Sequence, residues 1–134
     1  MGDITRTKAS VRPLGRCMYS ENTEAGDTIE AGEIVYLNGT SGWVLADGSA
    51  AASLAGEIGI VVAPQDSVDG DTGLSVLLKG KVTGFAAMDP GALHYASDTA
   101  GEIADAAGSV TKIVGYADSA TVLMFDPNTP ANPS

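Results

Sequence analysis

Ala31-Gly32-Glu33-Ile34-Val35-Tyr36-Leu37 returns, with changes, as Pro90-Gly91-Ala92-Leu93-His94-Tyr95-Ala96. The likeness continues downstream. Gly42-Trp43-Val44-Leu45-Ala46-Asp47 is matched by Gly101-Glu102-Ile103-Ala104-Asp105, and Ile58-Gly59-Ile60-Val61-Val62-Ala63 by Val114-Gly115-Tyr116-Ala117-Asp118. Leu74-Ser75-Val76-Leu77-Leu78 is matched by Ala120-Thr121-Val122-Leu123-Met124. The offset is 59 at Gly32/Gly91 and Tyr36/Tyr95, 56 at Gly59/Gly115 and 46 at Val76/Val122. A constant period would mean a solenoid, whereas an offset that shrinks over two copies means one domain of two similar halves. The first half carries extra residues around Pro64 to Thr72.

The matched phrases are short aliphatic runs punctuated by glycine, a pattern of strands. Strands are expected at residues 16–19, 34–37, 43–45, 58–63 (ended by Pro64) and 74–78. Another at 81–86 follows a break at Gly80, and the scheme repeats between Leu93 and Phe125. Asn38-Gly39 predicts a two-residue hairpin turn, which explains Asn38-Gly39-Thr40 better than a glycosylation site does. Residues 48–55 alone have helical propensity; the stretch is too short to stand by itself and is expected as a docked turn or a loop. The fold class is therefore all-β: a small antiparallel sandwich or barrel with two similar halves and little helix. Its expected organisation is an extended basic N-terminal arm at 1–16, a single β domain at 17–126 and a mobile Pro- and Asn-rich tail at 127–134. Ile60-Val61-Val62, Leu77-Leu78 and Val122-Leu123-Met124 are apolar on both faces, so they need cover on both sides and point to an oligomer interface.

A chain of 134 residues fits one domain with an ordinary core. Cys17 is the only cysteine, which excludes an intrachain disulfide and reads as a small buried apolar residue. The sequence has no signal-peptide pattern and no apolar run long enough to cross a bilayer, so cytoplasmic synthesis and no membrane partner are expected. The net charge of −10 is unevenly spread. Residues 1–16 hold Arg6, Lys8, Arg12 and Arg16 against Asp3, while the rest holds three lysines (Lys79, Lys81, Lys112) against sixteen acids. An acidic body repels phosphate backbones, which argues against a nucleic-acid partner. A basic arm on such a body suits docking onto an acidic protein surface.

No catalytic constellation assembles from these residues, and no cofactor is expected. His94, the only histidine, lies within an expected strand and has no partner for nucleophilic chemistry. Serine-hydrolase elbows, phosphate-cradling glycine loops and zinc-protease helices are absent from the sequence. Asp66, Asp69 and Asp71 resemble a loose calcium loop, but the spacing departs from the EF-hand pattern and a solvated acidic loop fits better. A carboxylate pair for glycoside cleavage has only Trp43 and the tyrosines to offer a sugar platform.

The ordered phrases matter together: Val11-Arg12-Pro13-Leu14-Gly15 after a basic arm, Thr28-Ile29-Glu30-Ala31-Gly32-Glu33, Glu57-Ile58-Gly59-Ile60-Val61, Gly80-Lys81-Val82-Thr83-Gly84, Pro90-Gly91-Ala92-Leu93-His94-Tyr95 and the closing Thr121-Val122-Leu123-Met124-Phe125. From about residue 10 to 127 this series resembles the small capsid decoration, or cement, proteins of tailed bacteriophages. The resemblance implies a homotrimer on the outside of an expanded head, clamping neighbouring subunits of the major capsid protein. It implies no enzymatic activity, and a protein made in the bacterial cytoplasm that resides in the virion. Residues 4–16 become the expected capsid-contacting segment, with Arg6, Lys8, Arg12 and Arg16 pairing with capsid carboxylates. Ile4, Val11 and Leu14 would pack or add an edge strand to the capsid lattice.

Other readings stay open. Gly26-Asp27-Thr28-Ile29-Glu30-Ala31-Gly32-Glu33 is similar to a turn of biotinyl and lipoyl carrier domains, but Lys79 and Lys81 lack the expected hairpin setting and Met88-Asp89 has no lysine. Trimeric all-β nucleotide hydrolases need phosphate-binding arginines, and no arginine follows Arg16. A head-fibre base or tail component is the nearest competitor.

Overall fold

The computed structural model describes residues 3–38, 42–54 and 56–127. In chain order the strands are β1 (Thr5–Arg6), β2 (Arg12–Tyr19), β3 (Ile29–Glu30), β4 (Ile34–Asn38), β5 (Gly42–Leu45), β6 (Ile58–Ala63) and β7 (Asp66–Ser67). They continue as β8 (Ser75–Thr83), β9 (Phe85–Ala86), β10 (Leu93–Ala96), β11 (Ile103–Ala104), β12 (Ile113–Ala117) and β13 (Val122–Phe125). Two short 3-10 turns, Lys8–Ser10 and Ala51–Leu54, are the helical elements among the described residues. The protein is all-β, with one antiparallel sheet curled into a half-barrel.

The order of the main sheet is β11-β10-β12-β13-β8-β6-β4-β5, with β2 along the other edge of β8. Long β8 is its spine. Its N-terminal part pairs with β6 and its C-terminal part with β13, so the two halves hang one after the other from a single strand. Each half has the same order, β5-β4-β6-β8 and β11-β10-β12-β13, as the sequence echo predicts. The glycines repeat as well. Gly32 and Gly91 share a positive φ, as do Gly42 and Gly101. Gly59 pairs with Val35 as Gly115 pairs with His94. A Cβ on Gly59 would run into the Val76 side chain, and one on Gly115 into the Met124 carbonyl.

One consequence of the pairing was not legible in the matched phrases. Ile34 pairs with Ile60 and Ile60 with Leu77; in the second half Leu93 pairs with Tyr116 and Tyr116 with Met124. The offset at the last strand is therefore 47, one more than the sequence match, and a one-residue shift in a strand reverses its facing. Ile34, Ile60 and Leu77 lie fully inside the main core with Val82, Leu123 and Phe125, whereas Leu93 and Tyr116 face solvent. The halves thus stack face to back.

Gly80 allows the change. It was expected to break two strands, but β8 runs straight through it at φ 147. A Cβ there would lie 2.5 Å from Cys17 Sγ, so glycine admits the close approach of β2 instead of making a turn. On either side of it Leu77 and Val82 both point into the main core, a change of phase.

The outer face of the first half is covered by the chain itself. Residues 20–31 and 64–74, joined by the β3–β7 pair, enclose a second core of Ala25, Ile29, Val35, Trp43, Val61, Leu74 and Val76. Trp43 Nε1 donates to the Asn22 carbonyl at 2.8 Å, so its polar atom is satisfied while the ring is wholly buried. The extra residues of the first half are this lid. The halves are also stitched directly: Ile34 N–H donates to Gly101 O at 2.9 Å, Gly101 N–H to Ala46 O at 2.7 Å, and Gly48 N–H to Ser97 O at 2.6 Å.

β6 ends at Ala63 before Pro64 as expected, and the stretch expected as a docked turn holds the Ala51–Leu54 turn. The register pairs Asn38 with Gly42, which leaves three connecting residues in place of the expected two; residues 39–41 lie outside the described residues. So do tail residues 128–134, and the expectation of a mobile tail falls on them.

Candidate protein interface

The extended basic segment lies against the domain from residue 3 onward, and β2 runs across residue 16. Ile4 N–H donates to Ile103 O at 2.8 Å, β1 pairs with β9, and Thr7 N–H donates to Gly84 O at 2.9 Å. Val11 is buried in the main core, with Ile4 packed at its edge. Backbone pairing and apolar burial hold this segment down, because a residue of bound strand satisfies its own amide while adding buried surface.

The acidic surface that the basic segment seeks is the chain's own. Arg6 Nη1 lies 2.6 Å from Glu102 Oε1, while its Nη2 lies 3.2 Å from Glu30 Oε1 and 3.4 Å from Glu33 Oε2. Its Nε donates to Ala31 O at 3.2 Å. Lys8 Nζ lies 2.7 Å from Asp66 and 3.5 Å from Glu30. Burial disfavours the Arg6 charge, but the hydrogen bond and charge of Glu102, helped by Glu33 and Glu30, outweigh it and hold its pKa above the ordinary value. Burial pushes the Glu33 carboxyl up, against the Glu30 N–H bond and Arg6 that favour its ionised form. Of the seven expected contact residues, Ile4, Arg6, Lys8 and Val11 are thus engaged inside the protein.

Arg12, Leu14 and Arg16 lie on β2, and there the picture differs. β2 pairs with β8 on one side, and among the described residues no strand pairs with its other edge. Arg12 and Arg16 are exposed, as are Met18 and Tyr19. The pairing slips between Leu14 and Met18, around Gly15 at φ 69, an irregularity of the kind that bends an edge strand. Beside β2 on β8 stand exposed Lys79 and Lys81, with long ion pairs to Asp126 (3.8 Å) and Asp118 (3.4 Å). The cations not engaged with the three glutamates or Asp66 are these four and the buried Lys112, whose pKa burial lowers.

The register then extends the surface sideways. Leu14 opposes Lys81, Lys81 opposes Met124, Met124 opposes Tyr116 and Tyr116 opposes Leu93, so these five side chains share one face. All are partly or fully exposed. Of the strands apolar on both faces, those of the first half find their cover in the lid, and the last leaves Met124 outward. The sequence gives no direct sign of Leu93 or Tyr116, because their phrase matches residues that are buried in the first half.

The other candidates are placed plainly. His94 is buried in β10 with Nδ1 3.1 Å from Ala92 O. Asp66 binds Lys8, and Asp71 accepts the Val68 N–H at 2.9 Å. No group of three metal-ligating side chains is found among the described residues. Glu30, Glu33 and Glu102 share one arginine, so they form a structural cluster with no free carboxylate pair. Cys17 is free and half-buried against Gly80. Lys79 and Lys81 stand along β8, away from any tight hairpin. No helix among the described residues is long and apolar enough to cross a membrane. A comparison with protein-family models finds no match, and comparisons with curated proteins and with solved structures find none either.

Proposed function

We propose that this chain is a capsid decoration protein, a homotrimer that binds the outside of an expanded phage head through the open edge of β2 and holds neighbouring major capsid protein subunits together. The observation that carries the reading is that edge: an eight-residue strand, paired with β8 on one side and open on the other among the described residues, bearing Arg12 and Arg16 in a chain of net charge −10. An exposed edge accepts an added strand through backbone hydrogen bonds, and flanking cations favour an acidic partner. Exposed ion pairs contribute only about 0.2–1 kcal/mol each, so strand pairing and burial of Met18 and Tyr19 carry the affinity while charge guides approach. A ligand that prefers the expanded lattice stabilises it by mass action without an active site.

The contact set narrows from the segment 4–16 to Arg12, Leu14 and Arg16, joined by Met18 and Tyr19. Co-sedimentation with procapsids and with expanded heads of the phage that carries the protein tests the reading. Saturable binding to expanded heads is expected, reduced by Arg12→Glu together with Arg16→Glu. No binding to either particle removes the function.

A further inference from the structure

We propose that the bare Leu93–Tyr116–Met124 row is the seam between copies of this chain, covered by the Val68 loop of the neighbouring copy. The inference deepens the reading above and takes only its trimeric stoichiometry from it.

The fold itself indicates what the row is for. Its equivalents in the first half, Ile34, Ile60 and Leu77, are wholly buried against the second half. The second half leaves the same face partly open among the described residues: Leu93 is 46% exposed and Tyr116 43%. A three-residue apolar row is a packed face in one half and a partly exposed one in the other.

The occupant follows from the charges. Lys81 stands within the row, opposite Met124, and Lys79 stands on the same strand. The lid carries Gln65-Asp66-Ser67-Val68-Asp69-Gly70-Asp71, where Val68 is 57% exposed. Asp66 is engaged by Lys8 and Asp71 by the Val68 N–H, so the apolar tip presents Asp69 beside it, and this complements an apolar row flanked by lysines. The long pairs Lys79–Asp126 and Lys81–Asp118 are exposed, so exchanging them for aspartates of a neighbour sacrifices little. Because the tip and the row are different surfaces of one chain, the contact is heterologous, and a rotation of one third of a turn between copies closes it into a ring of three.

Sedimentation equilibrium of the full chain at micromolar concentration tests this. Wild type is expected to have the mass of three chains. Val68→Asp and Tyr116→Asp should each weaken association on the order of tenfold or more, the scale of losing an interface anchor. Both positions are exposed, so the thermal melt and Trp43 emission of the separated subunits should stay unchanged. Lys81→Glu and Asp69→Lys should each weaken the trimer and together restore it. A monomeric wild type, or wild-type association in both aspartate variants, overturns the proposal. A trimer that ignores expanded heads supports the seam and removes the function; a monomer that still coats them does the reverse.

Discussion

Replacing Arg6 by alanine removes the cation that three glutamates share, and its cost separates a built-in N-terminal segment from a loosely resting one. The Arg6 side chain is 12% exposed, as is that of Glu33, while Glu102 is 20% and Glu30 45% exposed. Removing one partner of a buried pair costs about 3–5 kcal/mol, and an exposed pair contributes at most about 1 kcal/mol. Glu30 belongs near the exposed limit and Glu33 and Glu102 lie between, so we expect a loss of about 2–4 kcal/mol at neutral pH. The stem of Arg6 also packs on Gly32, where a Cβ would strike Arg6 Cδ. Arg6→Met keeps that packing and isolates the electrostatic part. Urea unfolding followed by Trp43, the single tryptophan and fully buried, reads the loss as a lower midpoint. Protein concentration must be held fixed, because subunit association would add to apparent stability. The loss should shrink as the pH falls and Glu33, whose carboxyl burial pushes up, takes up its proton. Midpoints for both variants within about 0.5 kcal/mol of wild type would refute the reasoning.

Further outcomes follow from the same geometry. Gly115→Ala should destabilise more than Gly59→Ala, by roughly 1–3 kcal/mol, because its Cβ meets a carbonyl of the paired strand and not a side chain that can turn away; equal midpoints would count against it. Glu33 has a folded-state pKa above its ordinary value of 4.5, so the native state holds its proton longer and stability falls as pH rises through that interval. Glu33→Gln should flatten this part of the stability profile while its side-chain oxygen still accepts the Glu30 N–H, and an unchanged slope would dismiss the assignment. Lys112, buried with no carboxylate partner among the described residues, should gain about 1 kcal/mol on replacement by methionine, read as a higher thermal midpoint.

Strand content was legible where local pattern and tertiary need agree. Ile58-Gly59-Ile60-Val61-Val62-Ala63 reads as a strand and is one, because its aliphatic residues serve two cores and Pro64 cannot continue the ladder. The two-half order was legible for a similar reason: Gly59 and Gly115 are required at equivalent crossings by sterics that any sequence must respect. Gly80 misleads, since a glycine that admits a neighbouring strand looks the same in sequence as one that makes a turn. The facing of the second half was hidden because Leu93 and Tyr116 are the same kinds of residue that a core position would take. Arg6 and Lys8 looked like parts of a docking arm because their partners lie 22 to 96 residues away in sequence, and charge alone does not tell an external acidic surface from an internal one. Arg12 and Arg16 are exposed on a strand whose second edge is unpaired among the described residues.

The most direct test of the account is occupancy on capsids. Purified protein is mixed in excess with expanded heads and, separately, with procapsids, and bound copies are counted by quantitative gel and by cryo-electron microscopy. The account predicts saturation of expanded heads in sets of three, little binding to procapsids, and loss of occupancy when Arg12 and Arg16 are both replaced by glutamate. Absence of binding to expanded heads, or equal occupancy with both arginines reversed, contradicts it.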